Sequence, residues 1–254
     1  MRKAEFEIVF EELNDPTVTE DTVTAAASLY NGGEFLRETL DSIRAQRHAR
    51  LDLIVVDDVS TEESSVRVAR EWLLAHSGRF DRATLLRHRR NQGVAEARNT
   101  AFHYARSDLV FVIDQDNLIY PRAIGRLLQA MRDTGFGAAY PQLEWFGSEH
   151  RLGMADVFNR DWLEKGNYID AMALVSKRAW QAVGGYTHDE WGWEDYDFWC
   201  KFVEQDISAA YVPEILGCYR RHPKSMTMTV TVTEAARKAG TIELTLRHPW
   251  LHIQ

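Results

Sequence analysis

Two periods of apolar residues alternate along most of the chain. Short runs such as Val23–Leu29, 51–56, 83–86 and 109–113 are mainly apolar, and 109–113 is continuously so and rich in β-branched and aromatic side chains, the signature of strands buried on both faces. Between them, apolar positions recur at helical spacing: Phe35, Leu36, Leu40 and Ile43; Val66, Ala69, Trp72 and Leu73; Val94, Ala97, Ala101 and Ala105. Strands alternating with helices in this way predict βαβ units, and so an α/β fold with a mainly parallel sheet flanked by helices. Ser60 or Thr61, with Glu63 or Ser64, is the expected cap of the second helix. After Pro121, residues Ile124, Leu127, Leu128 and Met131 mark another amphipathic helix.

The remaining segments are less regular. Residues 1–21 read as an edge strand or an appended segment closed by the Asn14-Asp15-Pro16 turn. Residues 136–141 predict a strand, and 142–168 have no clear period but hold Trp145, Phe146, Phe158, Trp162 and Tyr168. So long an irregular stretch is usually functional. Residues 169–175 are apolar again, 176–183 predict a short helix, and a further helix ends near 204. Strands near 209–212 and 216–219 follow, then a surface helix over 233–246. No repeat, low-complexity tract or linker divides the 254 residues, so one domain is expected.

Composition changes this picture little. Hydrophobic residues make up 45% and charged residues 27%, an ordinary globular balance. A net charge of −8 argues against a nucleic-acid binder with a basic surface. Cys200 and Cys218 are the only cysteines and form no CxxC, so no disulfide framework or zinc knuckle is indicated. Met1-Arg2-Lys3 leads into acids rather than an apolar signal segment, and no run approaches a membrane span. A cytoplasmic location is expected, with peripheral membrane contact left open.

Chemistry gathers where the strands end. The strand 109–113 stops at Asp114-Gln115-Asp116-Asn117. Two acids at the end of a buried strand repel and desolvate unless something neutralises them. A divalent cation such as Mg²⁺ or Mn²⁺ does that; a plain polar turn is the alternative. Three other strand ends are polar: Ser28/Tyr30/Asn31, Asp57/Asp58, and the basic stretch before Asn91-Gln92-Gly93. In a parallel sheet these ends share one edge, where ligands of α/β folds bind. A ring, an acid, an arginine and a metal-binding acid pair suit a nucleoside diphosphate. There is no GxxxxGK[ST] loop and no GxGxxG after the first strand, which excludes the common NTPase and dinucleotide signatures. Gly32-Gly33-Glu34-Phe35 lacks the further acid of a cyclic-dinucleotide cyclase motif and begins a helix.

The second cluster is 184–199, where Gly184-Gly185 precede Trp191, Trp193 and Trp199 and two acid pairs. Phe198 and Trp199 read as core aromatics. Trp191 and Trp193 lie in a glycine-interrupted loop, where indoles stack on sugar faces, and Glu194 and Asp195 stand at a helix start.

Together these stretches resemble the GT-A-fold (Rossmann-like), metal-dependent inverting glycosyltransferases of family 2. The matching stretches are Ser28-Leu29-Tyr30-Asn31, Val55-Val56-Asp57-Asp58-Val59-Ser60, Asn91-Gln92-Gly93 with Ala97-Arg98-Asn99, Asp114-Gln115-Asp116, Gly184-Gly185-Tyr186, Trp193-Glu194-Asp195 and Arg221-His222. They cover roughly residues 23–225; Ala95-Glu96 departs from the small residues usual there. The resemblance implies a nucleotide-binding half over 22–117, an acceptor-binding and catalytic half over 118–222, and a tail over 223–254. It implies that Ser28, Tyr30 and Asp58 contact base and ribose, Arg98 the base or diphosphate region, and Asp114, with Gln115 beside it, the ribose or sugar. Asp116 would bind Mn²⁺ or Mg²⁺, with His222 a metal ligand or phosphate contact. Asp195 would be the general base, beside Trp191, Trp193 and Glu194 on the acceptor side. The implied partners are a nucleoside-diphosphate sugar, most readily a UDP-sugar, and a saccharide or glycoconjugate acceptor. A sugar-binding module without turnover, or a nucleotidyltransferase, are the competing readings.

Overall fold

The computed structural model describes residues 4–225, 229 and 233–253. Its strands are β1 (Phe6–Leu13), β2 (Val23–Leu29), β3 (Leu51–Asp57), β4 (Arg82–His88), β5 (Leu109–Asp114), β6 (Leu118–Ile119), β7 (Ala138–Gly147), β8 (Arg151–Leu152), β9 (Leu174–Ser176) and β10 (Ala209–Arg221). Its α-helices are α1 (Gly33–Arg44), α2 (Glu63–His76), α3 (Val94–Tyr104), α4 (Ala123–Thr134), α5 (Arg160–Leu163), α6 (Lys177–Ala182), α7 (Glu194–Glu204) and α8 (Glu234–Arg247). The strands form one sheet in the order β1-β4-β3-β2-β5-β9-β7-β10-β6, with β8 paired to β7. The long inner pairings β4–β3–β2–β5 and β7–β10 are parallel; β1, β6, β8 and β9 pair antiparallel.

Alternation along the buried strands explains why both faces are covered. Leu51, Leu53 and Val55 of β3 face a core shared with α1, α2 and α4, while Ile54 and Val56 face one shared with α3, α6 and α7. β5 divides the same way, Phe111 and Ile113 against Val110 and Val112. The chain steps outward from β2 to β3 to β4, then returns past β2 to β5. The strand order therefore reverses between β2 and β5, which opens a crevice beyond their carboxyl ends.

Some local expectations shift. Residues 1–21 do supply an edge strand, β1, antiparallel to β4. The two short strands expected after 208 are one, β10, whose register slips around 212–217. Pro213 lacks an N–H there, so a bulge absorbs it. Strand β7 runs to Gly147, well past the expected 141. Neither Ser60 nor Thr61 caps α2: its N-cap is Glu62 with no side-chain bond. Ser60 Oγ instead accepts the Asn31 N–H at 2.9 Å, and the Thr61 N–H bonds Asn31 Oδ1 at 2.8 Å. The helix near the C-terminus is not a loose surface element. Ala236, Gly240 and Leu244 of α8 are buried. No helix among the described residues is long and apolar enough to cross a membrane.

Candidate active site

The crevice between β2 and β5 opens into a cavity of about 580 Å³. Ser28, Tyr30, Asp58, Arg98, Asp114, Gln115, Asp116, Glu194, Asp195 and His222 all line it, so ten of the candidates scattered over the sequence converge. Ser28 and Asp114 are register partners on adjacent strands, and Ser28 Oγ donates to Asp114 Oδ1 at 2.8 Å. Arg98 lies across this pair. Its Nη2 meets both Asp114 oxygens at 2.9 and 3.1 Å, and its Nη1 meets Glu194 Oε1 at 3.0 Å. The guanidinium is only 4% exposed, so it works as an internal strut from β5 to the start of α7. Both of its terminal nitrogens are engaged by carboxylates, while Nε is buried without a partner. Burial pushes the Glu194 carboxyl up despite Arg98, and Glu194 Oε2 is buried with no hydrogen-bond partner.

Asp58 is also 3% exposed. Its carboxylate accepts from Gly93 N–H at 2.7 Å and Gln92 N–H at 2.9 Å, and meets His88 Nδ1 at 2.7 Å. It thereby pins the Asn91-Gln92-Gly93 loop at one wall of the cavity. Gly93 has φ 86°, and a Cβ there would meet the His188 ring at 2.6 Å. Next to Asp58, Val59 has φ 63°, a strained state for a β-branched residue of the kind found at ligand sites. The Gln115 amide grips the Tyr30 backbone from both sides, Oε1 to N–H at 2.6 Å and Nε2 to C=O at 2.9 Å. A Cβ at Gly32 would sit 2.1 Å from Gln115 Cδ and so displace this amide from Tyr30. The Tyr30 residue itself is 45% exposed at the cavity.

Asp116 and His222 meet at the other wall, Oδ2 to Nε2 at 2.9 Å, with the imidazole against the Phe35 ring. Burial and then Asp114 push the Asp116 carboxyl up, against the pull of His222. Among the described residues no three potential ligands cluster into a metal site. His222 Nδ1 is buried without a hydrogen-bond partner, and a carboxylate with one imidazole fits a divalent ion that takes its other ligands from phosphate and water.

The segment before α7 completes the site. Asp189 accepts from the Trp191 N–H at 2.8 Å and the Trp193 N–H at 3.4 Å, curling the loop that delivers Glu194 and Asp195. Helix α8 backs this loop: at Gly240 a Cβ would lie 3.2 Å from Trp191 Cβ and 3.5 Å from the Trp193 ring. Arg247 of α8 reaches Asp197 at 2.8 Å and Asp189 at 3.5 Å. Trp191, expected to stack on an acceptor, instead turns its indole N–H to Glu243 of α8 at 3.1 Å and lines neither cavity. Trp193 does line a second cavity, a groove of about 480 Å³ walled by Tyr140, Trp145, Tyr168, Tyr196 and Tyr219. Asp170, Gly192, Asp195 and Tyr219 line both spaces and form the waist between them. Asp195 sits well above the usual carboxylate range, through burial first and then the charges of Glu194 and Asp170. Asp170 and His188 are site residues the sequence did not single out. Asp170 stands alone in an apolar run, and only the waist gives it a context.

A sheet that reverses order above a polar crevice, with a strand-end Asp-x-Asp and an aromatic groove alongside, defines the GT-A class. The chain belongs to glycosyl transferase family 2, whose profile matches residues 26–180. TarS of S. aureus in complex with UDP-GlcNAc superposes with a TM-score of 0.73 at 11% identity, over 89% of this chain and 66% of that one. The mannosyltransferase PcManGT of Pyrobaculum calidifontis, in complex with GDP-Man and Mn²⁺, gives a TM-score of 0.65 at 19% identity over 89% and 63%. An uncharacterized protein of Sinorhizobium fredii, y4gI, is 24% identical over 231 residues. Those cover 86% of this chain but only 24% of that longer protein.

Proposed function

We propose that the chain transfers a sugar from a nucleoside-diphosphate sugar, with UDP-sugars the first candidates, to a hydroxyl of a saccharide or glycoconjugate, with inversion. The observation that carries this is the position of Asp195. It stands on the waist between the polar cavity at the strand ends and the aromatic groove, and burial with the charges of Glu194 and Asp170 raises its carboxyl well above the usual range. A raised carboxyl is the better base near neutral pH. As the acceptor oxygen forms its bond to the anomeric carbon, the bond from that carbon to the diphosphate breaks. Asp195 receives the hydroxyl proton, and the nucleoside diphosphate leaves with the electron pair. Asp116 and His222 would hold Mn²⁺ or Mg²⁺, which supplies charge neutralisation for the departing diphosphate. Tyr30 offers a ring face to the base, Ser28 and Asp114 a polar edge to ribose or sugar, and the groove aromatics stack on acceptor rings.

The test is a thermal-shift screen of UDP-, GDP- and dTDP-sugars with and without Mn²⁺, followed by measurement of nucleoside diphosphate release. Ligands that bind the native state raise its melting temperature. We expect a metal-dependent shift from one nucleotide class and slow hydrolysis of its sugar. Stabilisation without any release of nucleoside diphosphate would leave a sugar-nucleotide binding module. Pyrophosphate release from a nucleoside triphosphate would make it a nucleotidyltransferase.

A further inference from the structure

Asp170 belongs to the groove before it belongs to the donor cavity. Gly166, Asn167, Tyr168 and Ile169 line the groove alone, and the segment first reaches the donor cavity at Asp170. Its Oδ1 accepts the Met172 N–H at 2.8 Å, an Asx-type turn that fixes the direction of the carboxyl. No cation forms an ion pair with it among the described residues. Burial, then the charge of Asp114, pushes it up to about 6. One carboxyl oxygen is thus spent on the turn, in a residue that lines both cavities. Its neighbour across the waist is Asp195, whose carboxyl feels its charge.

We propose that Asp170 receives a second hydroxyl of the acceptor, the one adjacent to the hydroxyl that Asp195 deprotonates, so that the enzyme selects acceptors carrying a vicinal diol at the point of transfer. This rests on the glycosyltransferase reading above and adds the acceptor class. Two hydroxyls on neighbouring ring carbons present two donors, and Asp170 and Asp195 are two carboxyl acceptors that line the same two cavities. Charge-assisted hydrogen bonds of this kind are strong and directional. Holding the ring at two points also fixes which oxygen faces the anomeric carbon, the orientation on which displacement depends. No bond to Asp170 forms or breaks; it binds, while Asp195 takes the proton.

The experiment uses the nucleotide sugar that stabilises the protein, with p-nitrophenyl glycosides carrying a free diol and their singly deoxygenated counterparts as acceptors. For the wild type, kcat/KM should favour the diol by about 10- to 100-fold over the analogue missing the neighbouring hydroxyl, the worth of one hydrogen bond to a charged group. In Asp170→Ala the preference should fall to about threefold or less, through loss of transfer to the diol. Asp170→Asn keeps the Met172 turn and should lower the same ratio by a smaller factor, which guards against misfolding of the alanine variant. Donor affinity, measured by calorimetry, should stay close to wild type in both. The proposal is overturned if the wild type ignores the deoxy change, if Asp170→Ala keeps the wild-type preference, or if donor affinity drops tenfold, which would put Asp170 on the donor sugar. A wild type that neither binds nor hydrolyses any nucleotide sugar would instead overturn the transferase reading itself.

Discussion

Replacing Arg98 by methionine tests whether the site is held together from inside. The variant keeps the length and apolar stem of the side chain but removes a cation that is 4% exposed and bonded to Asp114 and Glu194. Breaking a buried ion pair from one side typically costs about 3–5 kcal/mol, because the partner charge stays buried. Two carboxylates are orphaned here, yet the two losses do not add. Asp114 is 31% exposed and keeps Ser28, and Glu194 can take up a proton. We therefore expect about 3–5 kcal/mol near pH 8. At roughly 2–4 °C per kcal/mol for a chain of this size, the melting temperature falls by about 6–20 °C. The sign with pH follows from Glu194, whose carboxyl burial already raises in the native protein and which rises further without Arg98. A raised acid binds more protons folded than unfolded, so its penalty grows as pH rises through that window and fades below it. The difference between variant and wild type should be smaller at pH 5 than at pH 8. Urea unfolding at both pH values measures it. A variant within 1 kcal/mol of wild type at pH 8, with no narrowing at pH 5, would falsify the strut.

Asp195→Asn should lower turnover by about 10²–10⁴-fold, the usual loss for a general base, while nucleotide affinity by calorimetry barely changes. Because Asp195 must be ionised to accept a proton and its carboxyl is raised, the wild-type rate should fall with decreasing pH at values above the ordinary carboxylate range; an acid limb near pH 4 contradicts this. Asp116→Ala should abolish the difference in nucleoside diphosphate affinity between Mn²⁺ and EDTA, and equal wild-type affinities in the two buffers would remove the metal. Gly240→Val pushes a side chain into Trp191 and Trp193; overpacking costs about 1–3 kcal/mol, and turnover should drop more than donor affinity, whereas equal losses would mean that α8 does not act through the loop.

The central sheet was legible because its signal is local. Runs such as 109–113 are apolar throughout, and a strand covered on both faces uses such a sequence. Most donor-side candidates were legible for the same reason, since Ser28, Tyr30, Asp58, Asp114, Gln115 and Asp116 sit at or just after a strand end and the parallel topology brings those ends together. Arg98 shows where that reading stops. Its sequence context suggested a ligand contact, but whether a helix arginine faces a diphosphate or two carboxylates depends on residues 16 and 96 positions away. Trp191 and Asp170 depend on long-range packing as well. Nothing near position 191 announces that Glu243 will take its indole N–H, and a lone acid in an apolar run gains meaning only from the two cavities it divides.

Helix α8 is the last described helix, and it is made after everything it braces. As the chain leaves the ribosome, β2 to β5 emerge before α7 and α8, with the strand ends that line one side of the cavity. The loop that aims Asp195 has no backing until Gly240 and Arg247 arrive. Until α8 is made, the start of α7 therefore lacks the support that holds Glu194 and Asp195 at the waist.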